Sequence, residues 1–507
     1  MAVSTKRYIA IDLGATGGKV VLASVTAWAV TTETLHGFSL PHISLGGQEY
    51  WDIFAAYAGI LQGLTVAGSR KLEIESIGID SWGPGVVCVA RDGNLLGLPR
   101  ICSDVLSGAV QAKFFKRMER RELYETSGVN VLDSQAALQL FGLRRAKSIA
   151  LEDAKHLLLI PDAITYLLTG KRFSDFTSMS ASGLVDRGTK KLSRDILSAC
   201  KVRPRRFPSM VQPGAKSAKL TEEVAHATGL GRVPVMAVAG HDLASAAAAL
   251  PLSSVIPGAT AAESGTDRSP LFSGEGIAFL RLGTVSVLGV ETVSPMVNDQ
   301  TFEMNFSNES GVGGVNLLVK RIPGCDMLDK CLKQWGLEGK DYSMEEIARM
   351  ALEGPGTNAQ LDPEDAALLS SSDMPAAIGR YCTLRSMSVP EGDAAIVRLV
   401  CSSLAEKIGD TFTRLQSVTP FRIKSLCIIG DIPLGPVYTP AVSSREGGDG
   451  AGSFVPFFCQ LIANECSVPV LTGPEDAAVL GNVLVQAGLT RQALASTFTP
   501  VTYTPGI

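Results

Sequence analysis

An apolar strand, a turn of small residues and a second apolar strand open this chain, and the plan returns in its second half. Tyr8-Ile-Ala-Ile11 runs into Asp12, Leu13-Gly-Ala-Thr-Gly-Gly18 turns, and Lys19-Val-Val-Leu-Ala-Ser-Val25 leads back. Later, Ile277-Ala-Phe-Leu-Arg-Leu282 meets Gly283-Thr284 and continues as Val285-Ser-Val-Leu-Gly-Val290. The repeat reads either as an internal duplication or as two unrelated turn-linked strand pairs, and the small residues after Asp12 leave backbone N–H groups that no side chain obstructs. A further apolar strand, Val233-Pro-Val-Met-Ala-Val-Ala239, ends at Gly240-His241-Asp242. Two strand-end carboxylates, Asp12 and Asp242, one beside a glycine turn, suit phosphoryl transfer from a Mg-nucleotide to a hydroxyl. One can orient the metal while the other accepts the proton of the attacking alcohol.

The whole composition narrows the class. A chain of 507 residues has length for two large domains. Apolar residues make up 46% and charged residues 19%, a balance that fits an α/β enzyme rather than a disordered chain. A formal net charge of -4 without a basic stripe argues against a nucleic-acid partner. No apolar run reaches the roughly 18 residues of a membrane span, and no secretory or peroxisomal address is legible. The ten cysteines are dispersed without a CxxC pair, and most sit in apolar runs, as Cys88, Cys401 and Cys427 do. They read as reduced core residues of a cytoplasmic protein. Five histidines without HxxxH spacing make a protein-built metal site improbable.

Along the chain, strands are predicted at 7–12, 19–25, 74–80, 85–90, 233–239, 423–429 and 468–473, and helical spacing over 51–68 and 108–170. Ala244–Leu250 reads as a helix, and Asp242 just before it as its N-cap as well as a candidate base. Three stretches, 253–276, 355–375 and 433–453, read as loops or insertions. The best boundary lies near 245–255, giving domains of 1–250 and 251–507.

Several other side chains admit two readings. The turn after Asp12 is either a phosphate-facing loop or an ordinary hairpin turn. It is not a Walker A loop, because Gly14 precedes Gly18-Lys19 by too few residues, Val20 follows and a strand comes next. Asp80-Ser-Trp-Gly83 ends a strand: Trp82 could lie against a sugar face and Gly83 could admit a ligand to the backbone, or Trp82 is a core residue in a turn. Arg100 and Asp104 could bond hydroxyls from the next loop. Thr284 could donate to a phosphate or simply favour a strand.

Taken together, Ile11–Lys19, Gly78–Gly83, Gly97–Pro99, Leu158–Gly170, Val238–Ala246, Leu282–Ser286, Asn308–Gly311 and Gly473–Asn482 resemble the FGGY carbohydrate kinase family, and within it the rhamnulokinases. The resemblance runs in common order from about residue 7 to 488. It implies an α/β fold of two actin-like (ribonuclease-H-like) domains around a central cleft, with ATP and Mg²⁺ as cofactors. By resemblance Asp242 is the general base, His241 and Leu243 flank the sugar, and Gly83 lies at the acceptor. Ala15, Thr16, Gly17, Gly18, Lys19, Gly283 and Thr284 face the phosphates, Asp12 places Mg²⁺ through water, and Gly430 approaches the adenosine. The first domain then carries the sugar side, glycine turn and base, and the second the nucleotide side.

The chain also departs from the family pattern. Lys19 stands where family members usually have Arg, and offers charge without a planar fork. An expected Arg-Asp pair is Ser103-Asp104, a sugar-side Asn is Arg321, and a nucleotide-side Gln is Asp329. A Gly-Gly-Gly turn is Gly430-Asp431-Ile432, followed by the 433–453 insertion. Ser264-Gly-Thr266 rivals Thr284, but the strand to Val290 and Pro295–Asp299 follow the family pattern better. The implied activity is ATP-dependent phosphorylation of a primary hydroxyl of a small ketose, L-rhamnulose or a related deoxyketose or ketopentose. The protein would act as a monomer or homodimer. The alternative is a catalytically inactive descendant that binds a sugar or nucleotide as a regulatory protein.

Overall fold

The computed structural model describes residues 5–27, 29–83, 85–101, 108–130, 136–251, 275–430 and 454–506. Asp104 and nearly all of the insertions expected at 253–276 and 433–453 lie outside these residues. The chain divides into two compact units, Met1–Leu252 with Thr292–Leu318 and Asp476–Thr499, and Ser253–Glu291 with Val319–Glu475 and Pro500–Ile507.

In the first unit, β1 (Lys6–Leu13), β2 (Gly17–Val25) and β3 (Val30–Ser39) form an antiparallel meander. Helix α1 (Ile53–Ser69) follows, its first turn capped by Asp52, whose carboxylate accepts from the N–H groups of Phe54 and Ala55. Strand β4 (Ser76–Ser81) then pairs in parallel with β1. Helices α2 (Ile160–Thr169) and α3 (Phe176–Ala181) lead on to β5 (Ser217–Lys219), β6 (Pro234–Met236) and α4 (Asp242–Ala248). The sheet order is β5-β6-β4-β1-β2-β3.

The alternation read from the sequence sets the faces of this sheet. Ile9, Ile11 and Leu13 of β1 join Val20, Ile77 and Ile79 in a fully buried cluster with Ile60 and Leu64 of α1. Each such side chain contributes about 1.5–3 kcal/mol on burial. Helix α1 lies close on the meander because Gly63 and Gly59 face Val20 and Phe38 at distances where a Cβ would collide.

The second unit repeats the plan. Strands β7 (Glu275–Arg281) and β8 (Val285–Thr292) form an antiparallel hairpin. Then come β9 (Ser307–Ser310), whose residues belong to the first unit, β10 (Asn316–Pro323) and α5 (Asp326–Leu337). After the long α6 (Asp393–Val418), β11 (Arg422–Ile429) pairs in parallel with β7. Helix α7 (Phe454–Cys466) and β12 (Val470–Thr472) follow, β12 parallel to β11. The chain then returns to the first unit through α8 (Ala477–Ala487) and ends near β13 (Thr502–Tyr503), antiparallel to β12. Here the order is β10-β8-β7-β11-β12-β13. In both units the opening hairpin has its third strand on one side and two parallel strands on the other, the actin-like strand order.

Two local expectations change. His156–Leu159, read as part of a helical stretch, is a strand paired antiparallel with Val86–Val89. A histidine and three leucines carry no period that separates strand from helix; the three leucines are buried, and pairing with Val86–Val89 makes the segment a strand. Asp242 is the first residue of α4 rather than its cap. The cap position is His241, and Leu243 donates its N–H to Asp242 Oδ1 at 2.6 Å. The 355–375 stretch is largely irregular, with one short helix at Ala366–Leu369 and the start of another at Met374–Leu384. All nine described cysteines are buried and free, and among the described residues no helix is long and apolar enough to cross a membrane.

Candidate active site

Three carboxyl groups meet in the first unit at the C-terminal ends of β1 and β4 and the start of α4. Asp12 and Asp80 are directly opposed in the parallel register of β1 and β4. Asp242 joins them because a bridge between Ser81 and His241 aligns the start of α4 with the end of β4, and Ser81 donates its N–H to Gly240 O at 2.9 Å. Asp80 is completely buried. Burial first, then the negative charge of Asp12 and, more weakly, of Asp242, holds its carboxyl well above the ordinary carboxylate range. The Asn482 amide works against that shift, donating to Asp80 Oδ2 at 2.6 Å.

Asn482 is itself held from α8. Gln486, one turn on, donates to Asn482 Oδ1 at 2.8 Å and to Ile9 O at 3.0 Å, while Ser76 donates to Gln486 Oε1 at 2.7 Å. This polar seam fits against β4 because residue 78 is glycine: a Cβ there would come within 2.1 Å of Asn482 Oδ1. Helix α8 also crosses α4 at Gly481, where a Cβ would lie 1.8 Å from Ser245 O. The Gly-Asn pair of the Gly473–Asn482 motif thus locks both α4 and the buried carboxyl.

Lys19, in register with Asp12 on β2, ion-pairs Asp476 Oδ1 at 2.5 Å and lies 3.8 Å from Asp12 Oδ2. The turn before it is tied by the N–H of Gly14 to Gly17 O at 2.8 Å and the N–H of Leu40 to Thr16 O at 2.8 Å. Ala15 and Thr16 are exposed, and Gly17 and Gly18 are pressed so closely on Phe38 that side chains there would collide. On the other flank, Trp82 is half-buried, its ring 4.5 Å from that of Trp51, and its N–H reaches Leu13 O at 3.0 Å. Gly83 faces open space, with nothing within 4 Å of a would-be Cβ. His241 is buried and donates its N–H to Thr177 Oγ1 at 3.2 Å, while Leu243 is almost wholly core.

The remaining candidates lie in the second unit. Gly283 and the exposed Thr284 form the β7–β8 turn, and their carbonyls accept from Cys325 (2.9 Å) and Gly324 (3.1 Å). Residue 324 must be glycine, since a Cβ would sit 1.9 Å from Gly283 O. Arg321 is half-exposed near the end of β10, and Asp329 is in the first turns of α5. Gly430 ends β11 at a φ of +82°, and its N–H reaches Pro474 O at 3.2 Å.

Asp80, Asn482, Asp476 and Glu309 are not among the residues singled out from sequence as candidates. Asp80 had a usable signal, an Asp at the end of an apolar strand just as Asp12 is. The others are partners across long stretches of chain.

Over residues 7–249 the chain matches the N-terminal domain of the FGGY family of carbohydrate kinases. It is 36% identical over 482 residues to a rhamnulokinase of Bacteroides thetaiotaomicron, covering 95% of this chain and 90% of that protein. The chain therefore belongs to the FGGY family of carbohydrate kinases and is a phosphotransferase of that kind. A rhamnulokinase of Pectobacterium carotovorum is 29% identical over 488 residues, covering 95% of this chain and 87% of its own. Among solved structures, the xylulose kinase of Rhodospirillum rubrum superposes with a TM-score of 0.70 at 17% identity, covering 99% of this chain and 94% of that one, a likeness of fold.

Proposed function

We propose that this kinase transfers the γ-phosphoryl group of ATP to a primary hydroxyl of a small ketose, L-rhamnulose or a related deoxyketose or ketopentose. The observation that carries the reading is geometric: Asp12 and Asp80 stand opposed at the ends of β1 and β4, and the Ser81–His241 bridge brings Asp242 to the same edge. Asp242 is held at the start of α4 with one oxygen bonded to its own helix and takes the hydroxyl proton as the phosphoryl group moves. Its neighbours Trp82, Gly83, His241 and Leu243 form the sugar side, with Asp104 and Arg321 as further sugar contacts.

The small-residue turn at 15–18 offers its N–H groups to phosphate oxygens, Lys19 offers charge, and Gly283, Thr284, Asp329 and Gly430 serve the nucleotide. In this reading 1–250 carries the sugar side and base and 251–507 the nucleotide side. The protein is cytoplasmic.

Asp12 is a fitting holder for Mg²⁺. The ion prefers few carboxylates with water and phosphate oxygens, the Asp12 side chain is 17% exposed, and among the described residues no cluster of three or more His, Cys, Asp or Glu could hold an ion by itself. When bound, Mg²⁺ neutralises phosphate charge. The identity to the Bacteroides rhamnulokinase favours L-rhamnulose as acceptor.

The test is ADP release from Mg-ATP across a ketose panel headed by L-rhamnulose. Sugar-dependent turnover supports the reading. ATP hydrolysis indifferent to every sugar, or no turnover from folded protein, overturns it.

A further inference from the structure

Behind the candidate base, His241 stands beside Glu309, a carboxylate to which the reaction as described gives no role. His241 Nδ1 lies 3.3 Å from Glu309 Oε2, and His241 Nε2 lies 3.7 Å from Asp242 Oδ1. The side chains of His241, Glu309 and Asp242 are 5%, 1% and 5% exposed. Taking a carboxylate so far from water is costly unless it is held against a donor. The imidazole Nδ1 is within reach of Glu309 Oε2, although the two are not aligned as a hydrogen bond in this structure.

The placement of Glu309 is built rather than incidental, since the residues around it on β9 are clamped. Ser307 Oγ accepts from Asn130 N–H at 2.9 Å, and Asn308 donates its N–H to Gly128 O at 2.8 Å. The Asn308 side chain bonds Met296 N–H at 2.7 Å and Met296 O at 3.0 Å. Ser310 donates its N–H to Ser180 Oγ at 2.8 Å.

Ser180 is on α3, the helix whose Thr177 accepts the His241 N–H at 3.2 Å. Thr177 is fixed in turn by donating to Asp175 Oδ2 at 2.5 Å. One short helix therefore sets both the backbone of the imidazole and the backbone beside the carboxylate.

We propose that Glu309 is the positioning residue of His241. It accepts the Nδ1–H proton, and so fixes both the ring's orientation and which nitrogen, Nε2, stands beside Asp242 facing the acceptor hydroxyls. A ring held by a carboxylate on one nitrogen keeps a single tautomer at the other. The use of the ring for sugar rests on the kinase reading, but its orientation does not.

The test is ¹⁵N NMR of histidine-labelled full-length protein without substrate, the His241 signals being assigned among the five histidines by His241→Asn. The expected wild-type result is a protonated Nδ1 whose hydrogen exchanges slowly. In Glu309→Gln, whose amide can also donate to the ring, and in Glu309→Leu, those signals shift and the exchange protection is lost. The paired kinetic expectation is a fall of about tenfold in kcat/KM for the sugar, the scale of one lost charge-assisted hydrogen bond, with the KM for ATP changed less than about twofold.

If Leu does not fold, the Gln variant alone decides. An unprotonated Nδ1 in the wild type, or His241 signals indifferent to both variants, overturns the proposal. Expected NMR shifts in a protein that phosphorylates no sugar would uphold the positioning and remove only the kinase reading.

Discussion

Asp12 and Asp80 stand opposite each other in the parallel pairing of β1 and β4, so one carboxyl at the site is backed by a second that is wholly buried. Asp80 reaches back to α8 through Asn482, and the carboxyl at the site is thereby tied to the last helix of the unit. Asp80→Asn keeps a group that accepts from Asn482 and donates to Asp12, so it should fold with near wild-type stability. Asp80→Leu leaves the Asn482 amide without its acceptor and should cost about 1–3 kcal/mol or more in urea unfolding. Equal stabilities for the two variants would contradict this role.

Two glycines give opposite expectations. Gly481→Ala puts a Cβ against Ser245 O, backbone on backbone, so α8 must shift from α4. The expected loss is about 1–3 kcal/mol, with a fall in kcat because α4 carries Asp242. Gly83→Ala meets nothing within 4 Å and should leave the melting temperature unchanged while raising the sugar KM. Thermal melts with steady-state kinetics on both variants check the pair.

Stability should depend on pH through Asp162. This buried carboxyl is held well above the ordinary range by burial, with the charge of Asp175 adding, although the Asp175 N–H bonds it at 3.0 Å and opposes the rise. The folded state keeps its proton where the unfolded chain has lost it. Stability therefore falls as pH rises from the ordinary carboxylate range through the raised folded value. Asp162→Asn is fixed neutral, so its stability relative to wild type should improve across that window, at a limiting slope of about 1.4 kcal/mol for a rise of one in pH. Parallel urea–pH curves for the two proteins would contradict it.

Lys19 is committed to Asp476 in this structure, with Asp12 further off. Lys19→Met should lower kcat/KM for ATP by about tenfold or more if the charge serves phosphate. Lys19→Arg should retain most of it. A Met variant with unaltered ATP kinetics would restrict Lys19 to a structural ion pair.

Much of this arrangement is legible in sequence because it is local. Asp12 follows an apolar strand, small residues occupy the next turn, and Gly240-His241-Asp242 precedes an alanine-rich helix. The two strand–turn–strand segments read from sequence are the opening hairpins of the two units. The pairings that fix the site are not local. Asn482 reaches Asp80, Asp476 reaches Lys19 and Glu309 reaches His241, and no spacing or period in a single sequence records such contacts. His156–Leu159 is read as helical because one histidine and three leucines are too short a run to show a strand's period. The place of Asp242 inside α4 rather than at its cap turns on one residue of backbone, finer than pattern can resolve.

The most direct measurement is ADP release by the wild type and Asp242→Asn with Mg-ATP and L-rhamnulose, both shown to be folded by circular dichroism. The account requires sugar-dependent turnover in the wild type and a loss of about a hundredfold or more in kcat for the variant, with sugar binding retained. Turnover of the variant at the wild-type rate would contradict the assignment of Asp242 as the base.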